Sequence, residues 1–255
     1  MKALKSVFEK RKNILSVYFT AGYPKLDDTG KIIKSLQKSG ADIIEVGIPY
    51  SDPMADGETI QKSSSIALSN GINLDIVFEQ LKAIKDIDTP LVIMGYLNQI
   101  LVYGIERFLS ACTDVGVEAV IIPDLPLDDY EIEYKKVFEK YNCHPVFLVT
   151  PQTSEERIRK IDDMSNSFIY SVSSSSITGA KSEINDEQKN YFKRIQKMNL
   201  KHPALIGFGI SDKQSFDTAC KYSSGAIIGS AFINVLSKGS SIESEIKHFV
   251  KSIIE

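Results

Sequence analysis

The chain has 255 residues, of which 43% are hydrophobic and 25% are charged, and its formal net charge is −3. These values are ordinary for a globular protein, and the small acidic excess gives no electrostatic basis for binding nucleic acid or an anionic membrane. No apolar run is long enough to span a bilayer, and residues 1–13 lack the apolar core of a signal peptide, so we expect a cytoplasmic protein. The three cysteines are scattered and form no cluster with histidine, so neither disulfides nor a metal site are predicted.

Short apolar runs alternate with helical patterns along the chain. Eight runs are typical of strands buried on both faces in a parallel sheet, at residues 14–19, 42–47, 91–94, 119–122, 146–149, 168–172, 204–208 and 226–228. Eight strand–helix units predict an α/β fold, a single (β/α)8 TIM barrel, with residues 1–255 as one domain. An open doubly wound sheet is the alternative, but no GxGxxG follows the first strand.

Three helices are predicted beyond those that the eight units require. They cover residues 2–10 at the N-terminus, 59–69 after strand 2 and 230–236 after strand 8. Extra segments that follow the carboxyl ends of barrel strands usually shape a binding site. Between elements, Gly40, Gly116 and Gly225 stand where C-terminal caps would end helices before the next strand.

Two carboxylates follow one another at the second predicted strand. Glu45 lies inside the apolar run 42–47, where an unpaired charge would cost several kcal/mol to bury, so it is either paired or has a raised pKa. Asp56 lies in the loop that follows, and it either caps the next helix or faces Glu45 across the barrel mouth. Asp124 lies between two prolines after the fourth strand, and we favour a loop-organising or interface role over a site role.

Glycine-rich loops after the seventh and eighth strands predict a phosphate site. Residues 207–211 read GFGIS and residues 225–231 read GAIIGSA, with a short helix beginning at Ser230. Glycines let backbone N–H groups approach an anion, and the helix start adds free N–H groups. The small, polar loop 173–185 after strand 6 is a candidate lid, and its Gly179 could add to the phosphate site.

With these residues assembled, the chain resembles the tryptophan synthase alpha subunit family over nearly its whole length. The most specific motif is EVGIPYSDPMADG at residues 45–57. Further matches, in the family's order, are the segments 13–24, 123–126, 207–211 and 229–231.

The resemblance implies a lyase that cleaves indole-3-glycerol phosphate to indole and glyceraldehyde 3-phosphate. It implies that Glu45 is the general acid–base acting at indole C3, that Asp56 holds the indole N–H, and that Tyr170 lies near Glu45. It places the phosphate ligands on Gly179, Gly209, Gly229 and Ser230. No cofactor or metal is implied for this chain, because pyridoxal phosphate belongs to the beta subunit that receives the indole in an alpha2beta2 complex.

The chain departs from the family pattern in two places. In the loop after strand 6, residues 174–179 keep Thr-Gly but lack the Arg and the first Gly that many members have, and Glu58 replaces a common Pro. One alternative is therefore a non-catalytic or weakly active subunit that mainly activates a beta partner. Another phosphate-binding barrel, such as an isomerase or indole-glycerol-phosphate synthase, is a further alternative. The synthase needs strand-borne lysines, and the predicted strands contain none.

Overall fold

One parallel sheet forms the centre of the computed structural model, which describes residues 4–173, 184–207, 209–238 and 241–255. The strands are β1 (Ile14–Thr20), β2 (Ile43–Gly47), β3 (Leu91–Met94), β4 (Ala119–Ile121), β5 (His144–Val146), β6 (Leu148–Val149), β7 (Ile169–Val172), β8 (Ala204–Gly207) and β9 (Gly225–Ile228). They lie in the order β5-β4-β3-β2-β1-β9-β8-β7-β6, and all the pairs are parallel.

The sheet forms a nearly closed barrel, because its two edge strands are neighbours in the chain. β5 pairs with β4, β6 pairs with β7, and only Phe147 separates β5 from β6. The Phe147 carbonyl accepts a hydrogen bond from the Tyr170 N–H at 2.9 Å. The predicted fifth strand is thus divided into two short strands with different partners, and the TIM barrel predicted from the sequence is confirmed.

Helices alternate with the strands. They are α1 (Leu4–Lys10), α2 (Thr29–Ser39), α3 (Glu58–Ser69), α4 (Leu74–Ala83), α5 (Leu97–Tyr103), α6 (Ile105–Asp114), α7 (Leu127–Asp129), α8 (Lys135–Lys140), α9 (Glu155–Met164), α10 (Asp186–Lys197), α11 (Lys213–Cys220), α12 (Ser230–Leu236) and α13 (Ile242–Ile254). A 3₁₀ turn, Leu26–Asp28, precedes α2, and a π turn, Tyr130–Tyr134, joins α7 to α8. In the described ranges, no helix has both the length and the apolarity needed to cross a membrane.

All three predicted extra helices are present, as α1, α3 and α12, but they serve different ends of the barrel. Leu4 and Val7 of α1 join the apolar cluster inside the barrel, and the Phe8 ring lies 5.7 Å from the ring of Phe168, just before β7. Since Phe168 precedes its strand, α1 closes the amino end of the barrel. Both α3 and α12 follow strands, and they pack against each other and against β1 at the carboxyl end.

The predicted helix-capping glycines fall into two groups. Gly40 ends α2 in a left-handed conformation with φ of 101°, and Gly116 follows α6 with φ of 73°, as C-terminal caps would. The prediction for Gly225 is wrong, because α11 ends at Cys220 and Gly225 begins β9. A Cβ atom at Gly225 would overlap the backbone of Ile14, its register partner in β1. Glycine is needed there for the close approach of two strands.

We therefore expect Gly225→Ala to lower the free energy of unfolding by about 3 kcal/mol, because the added methyl group would force two paired backbones apart. Gly30→Ala in α2 is the matched control. Its Cβ would lie 3.6 Å from Ile84 Cγ1, an ordinary contact, and it should change stability by less than about 1 kcal/mol. Urea unfolding of both variants measures the difference, and equal stabilities would contradict the close approach at Gly225.

Candidate active site

The predicted site residues lie where parallel strands end together. Glu45 is the third residue of β2 and is in register with Tyr18 of β1. Tyr170 lies on β7, Gly229 directly follows β9, and Gly209 comes two residues after the last residue of β8. Because the carboxyl ends of parallel strands meet at one edge, the loops after these strands surround the same opening.

Glu45 is almost completely buried, with 1% of its surface exposed. Ser16 on β1 donates a hydrogen bond from its hydroxyl to Glu45 Oε1 at 2.6 Å. Burial raises the pKa of Glu45 to about 7, and the Ser16 hydrogen bond opposes that rise. Both predicted outcomes therefore hold, because Glu45 has a partner and also keeps a proton near neutral pH.

Asp56 lies in the loop between β2 and α3 and is 4% exposed. Burial raises its pKa to about 6, and a hydrogen bond with the Tyr96 side chain opposes the rise. Capping of the next helix is ruled out as the role of its side chain, because Gly57 is the N-cap of α3 and that helix has no side-chain cap. Two other bonds hold the loop, from Ala55 N–H to the Tyr96 hydroxyl at 3.1 Å and from Gln61 Nε2 to the Asp56 carbonyl at 2.8 Å.

Two buried tyrosines link the carboxyl groups into one electrostatic cluster. The pKa of Tyr170 is raised well above its ordinary value, first by burial and then by Glu45 and Asp56. The pKa of Tyr18 is raised in the same way, with burial as the largest cause, Asp56 next and Glu45 a smaller contributor. Tyr170 is the tyrosine that the family resemblance places near Glu45, and Glu45 is one of the groups that raise its pKa.

Sequence reasoning missed Tyr18 and Tyr96. Tyr18 could be found only from the register of β1 and β2, which places it beside Glu45. Tyr96 could have been identified as a candidate from the sequence. It comes two residues after β3 and so lies at the carboxyl end of a strand.

Glycines on neighbouring strands give the two tyrosine rings their space. A Cβ atom at Gly47 of β2 would overlap the Tyr18 hydroxyl, and one at Gly207 of β8 would overlap the Tyr170 hydroxyl. Gly207 was predicted to help an anion approach the backbone. In the structure its missing side chain makes room for a phenol.

The predicted phosphate ligands are only partly described. Gly209 is exposed and has φ of 74°, Gly229 is the N-cap of α12, and Ser230 is the exposed first residue of that helix. A Cβ atom at Gly229 would lie 3.4 Å from Tyr18 Cδ1, so this turn lies directly against the carboxyl cluster. Gly179 and the remainder of segment 174–183 fall outside the described residues, as does Phe208.

Asp124 organises a loop. Its Oδ1 accepts a hydrogen bond from the Leu97 N–H at 2.8 Å and so holds the start of α5. This confirms the loop-organising role, one of the two that we favoured. Within the described parts of the chain, no three His, Cys, Asp or Glu side chains come together in a way that could hold a metal ion.

Comparison with known proteins gives a consistent result. A family model described as tryptophan synthase alpha chain matches residues 4–253. The tryptophan synthase alpha chain of Flavobacterium johnsoniae is 53% identical over 254 residues, which cover 99% of this chain and 100% of that protein. The crystal structure of the tryptophan synthase alpha chain from Legionella pneumophila subsp. pneumophila has a TM-score of 0.88 at 30% identity, covering 99% of this chain and 96% of that chain. A chain of tryptophan synthase from M. tuberculosis, in its aminoacrylate-bound form, has a TM-score of 0.86 at 26% identity, covering 99% and 98%.

The raised pKa of Glu45 predicts how stability depends on pH. The folded state holds the proton more tightly than the ordinary value of 4.5 allows, so stability is lost as the pH rises from about 4.5 to about 7. Glu45→Gln cannot ionise, and we expect it to be more stable than the parent at pH 8, by up to about 3 kcal/mol. The gain should disappear towards pH 4.

Denaturant unfolding at several pH values measures this difference. Glu106→Gln, at an exposed position of α6, is the control and should show no gain at pH 8, because Glu106 is paired with Lys140 at the surface. If Glu45→Gln were no more stable than the parent at pH 8, the raised pKa would be wrong.

Proposed function

The chain belongs to the tryptophan synthase alpha chain family, and on that premise we propose how it works as a lyase. The reaction is the retro-aldol cleavage of indole-3-glycerol phosphate to indole and glyceraldehyde 3-phosphate. Glu45 and Asp56 carry out this cleavage at the carboxyl end of the barrel. The observation that supports these roles is the pair of buried carboxyl groups, both with raised pKa values, in one cluster with Tyr18 and Tyr170.

Glu45 moves both protons of the reaction. With a pKa of about 7 it is substantially protonated at neutral pH, and it delivers that proton to indole C3. Its carboxylate then accepts the proton of the glycerol hydroxyl next to the breaking bond. As that hydroxyl becomes the aldehyde, the electrons of the C–C bond return to the indole ring. Glu45 ends protonated, as it began.

Asp56 acts as a fixed negative charge. Its pKa of about 6 leaves it largely ionised near neutral pH, where it accepts the indole N–H and stabilises the positive charge that develops in the protonated ring. The Tyr96 hydroxyl, which is hydrogen-bonded to Asp56, favours the charged form.

The substrate phosphate is held at the far side of the opening by Gly209, Gly229 and Ser230, together with Gly179. Because Gly229 lies against the Tyr18 ring, a phosphate bound there fixes the distance between the anchor and the carboxyl cluster. Tyr170 lines the indole end beside Glu45. A phosphate group held at one end of the substrate orients the reacting bond at the other end. Such positioning can contribute a large part of the rate enhancement.

The partner is a beta subunit that carries pyridoxal phosphate and takes up the indole, in an alpha2beta2 complex in the cytoplasm. The supporting feature is a set of three exposed apolar side chains on the segments that follow β2, β3 and β4: Met54 is 79% exposed, and Val102 and Ile132 are each 82% exposed. Large apolar side chains at such exposure mark interaction surfaces when they gather on one face.

This chain itself needs no cofactor for the proposed chemistry. Nothing in the described residues favours a non-catalytic subunit, since both carboxyl groups are present and buried.

We expect a bell-shaped pH profile for indole release by the purified chain, with its maximum between about 6 and about 7. Activity rises as Asp56 ionises and falls as Glu45 loses its proton. Glu45→Gln should remove turnover while leaving the fold intact. Glu118→Gln is the control and should keep turnover, because Glu118 lies at the amino end of the barrel, where it accepts a hydrogen bond from the Leu4 N–H. Near-normal turnover in Glu45→Gln would contradict the assigned mechanism.

The partner surface is tested with Val102→Lys combined with Ile132→Lys. Charges placed in a buried apolar interface should weaken binding of a beta subunit by about tenfold or more. The slow indole release of the isolated chain should not change, because neither residue belongs to the site. Ile254→Lys in α13 is the matched control, with 42% exposure on an outer helix. Equal beta-subunit affinities for the double variant and the control would exclude Val102 and Ile132 from the interface.

A further inference from the structure

We propose that Ser16 is a positioning residue for the reaction, and that its hydroxyl fixes both the orientation and the protonation of the Glu45 carboxyl group. This inference rests on the proposed role of Glu45. Ser16 was not among the candidate residues from the sequence, because a small hydroxyl inside a strand carries no signal of its own. It becomes visible only through the pairing of β1 with β2.

The register of the two strands defines the geometry. Ser16 pairs with Ile43, and Tyr18 pairs with Glu45, so Ser16 lies two residues nearer the amino end of the barrel than the position opposite Glu45. Side chains two residues apart on a strand share one face. The 2.6 Å hydrogen bond from Ser16 to Glu45 Oε1 therefore holds the carboxyl group towards the amino end of the barrel.

The hydrogen bond between Ser16 and Glu45 is shielded from solvent. Ser16 is completely buried, and below it Ile14 and Ile43 belong to the apolar cluster that α1 closes. A hydrogen bond to a charged group is stronger in such surroundings than in water. Thr20, which lies on the same face of β1, shares a 2.7 Å hydrogen bond with Ser63 of α3.

The titratable groups that interact with Glu45 come from other elements. They are Tyr18 from β1 and Tyr170 from β7, and both tyrosines also interact with Asp56 from the loop after β2. The phenols stay neutral in the working range because their pKa values are raised, and Asp56 is negative and therefore cannot favour ionisation of Glu45. Ser16 is the neighbour whose donated hydrogen bond stabilises the carboxylate, the form that Glu45 takes after it has protonated indole C3.

Loss of the Ser16 hydroxyl should therefore make Glu45 a weaker acid. We expect Ser16→Ala to move the basic limb of the pH profile of kcat/KM for indole release to higher pH, by about one unit. The acidic limb, which belongs to Asp56, should stay in place. Ser16→Thr keeps the hydroxyl and should return the basic limb to its original position.

Ser171→Ala is the matched control. Ser171 is an equally buried strand serine, but its hydroxyl donates to the Tyr191 hydroxyl of α10 at 3.0 Å, on the helix side of β7. Its removal should move neither limb. A basic limb that stays in place in Ser16→Ala, together with an unchanged Glu45 midpoint in the titration described next, would overturn the proposal. If Ser16→Ala does not fold, Ser16→Cys, whose thiol is a weaker donor, should show the same upward shift to a smaller extent.

A direct titration separates this proposal from the proposed function. The side-chain carboxyl of Glu45 is followed by ¹³C NMR in protein labelled at glutamate, with Glu45→Gln used to assign its signal. An upward shift of the Glu45 midpoint in Ser16→Ala supports the pairing without any substrate. An unchanged midpoint overturns it. A shifted midpoint with an unshifted rate profile supports the Ser16–Glu45 bond and overturns the catalytic role of Glu45 instead.

Discussion

Burial of the Glu45 carboxyl group inside an apolar barrel is the interaction on which the site depends. A bare carboxylate at that depth is destabilising by several kcal/mol, so the group must keep a proton, find a donor, or do both. Glu45 does both, with a pKa of about 7 and a hydrogen bond from Ser16. The same burial that makes the residue costly to fold brings its pKa close to neutral pH, as the proposed acid–base role requires. Stability and reactivity therefore oppose each other at this position.

The second constraint is the space that the tyrosines require. Tyr18 and Tyr170 point into the barrel from β1 and β7, and each phenol lies over a glycine on the adjacent strand, Gly47 or Gly207. No larger residue fits below either ring, because the strands of a sheet lie only about 5 Å apart. These pairs fill the inside of the barrel around Glu45 and exclude water from it. Gly47 and Gly207 thus provide the space that the two phenols occupy.

The two ends of the barrel differ in the segments that cover them. At the amino end, α1 covers the interior with Leu4 and Val7, which is a purely apolar closure. At the carboxyl end, α3 and α12 pack on β1, and the Gly229 turn lies against Tyr18, the register partner of Glu45. The amino end is closed by apolar packing, and the carboxyl end carries the candidate site. That division follows from parallel strands, because all the loops that can carry function leave from one edge.

The sequence alone was sufficient for the barrel, for its extra helices and for the two carboxyl groups. Apolar runs of strand length that alternate with helical periodicity require a parallel sheet, and an acid inside such a run is conspicuous. Only the tertiary structure decided which side chains meet. The division of the fifth strand at Phe147, the close approach at Gly225, and the placing of Ser16, Tyr18 and Tyr96 beside the carboxyl groups all depend on strand register and barrel closure. Those are set by contacts between residues far apart in the chain, and the local sequence of a single strand carries no information about them.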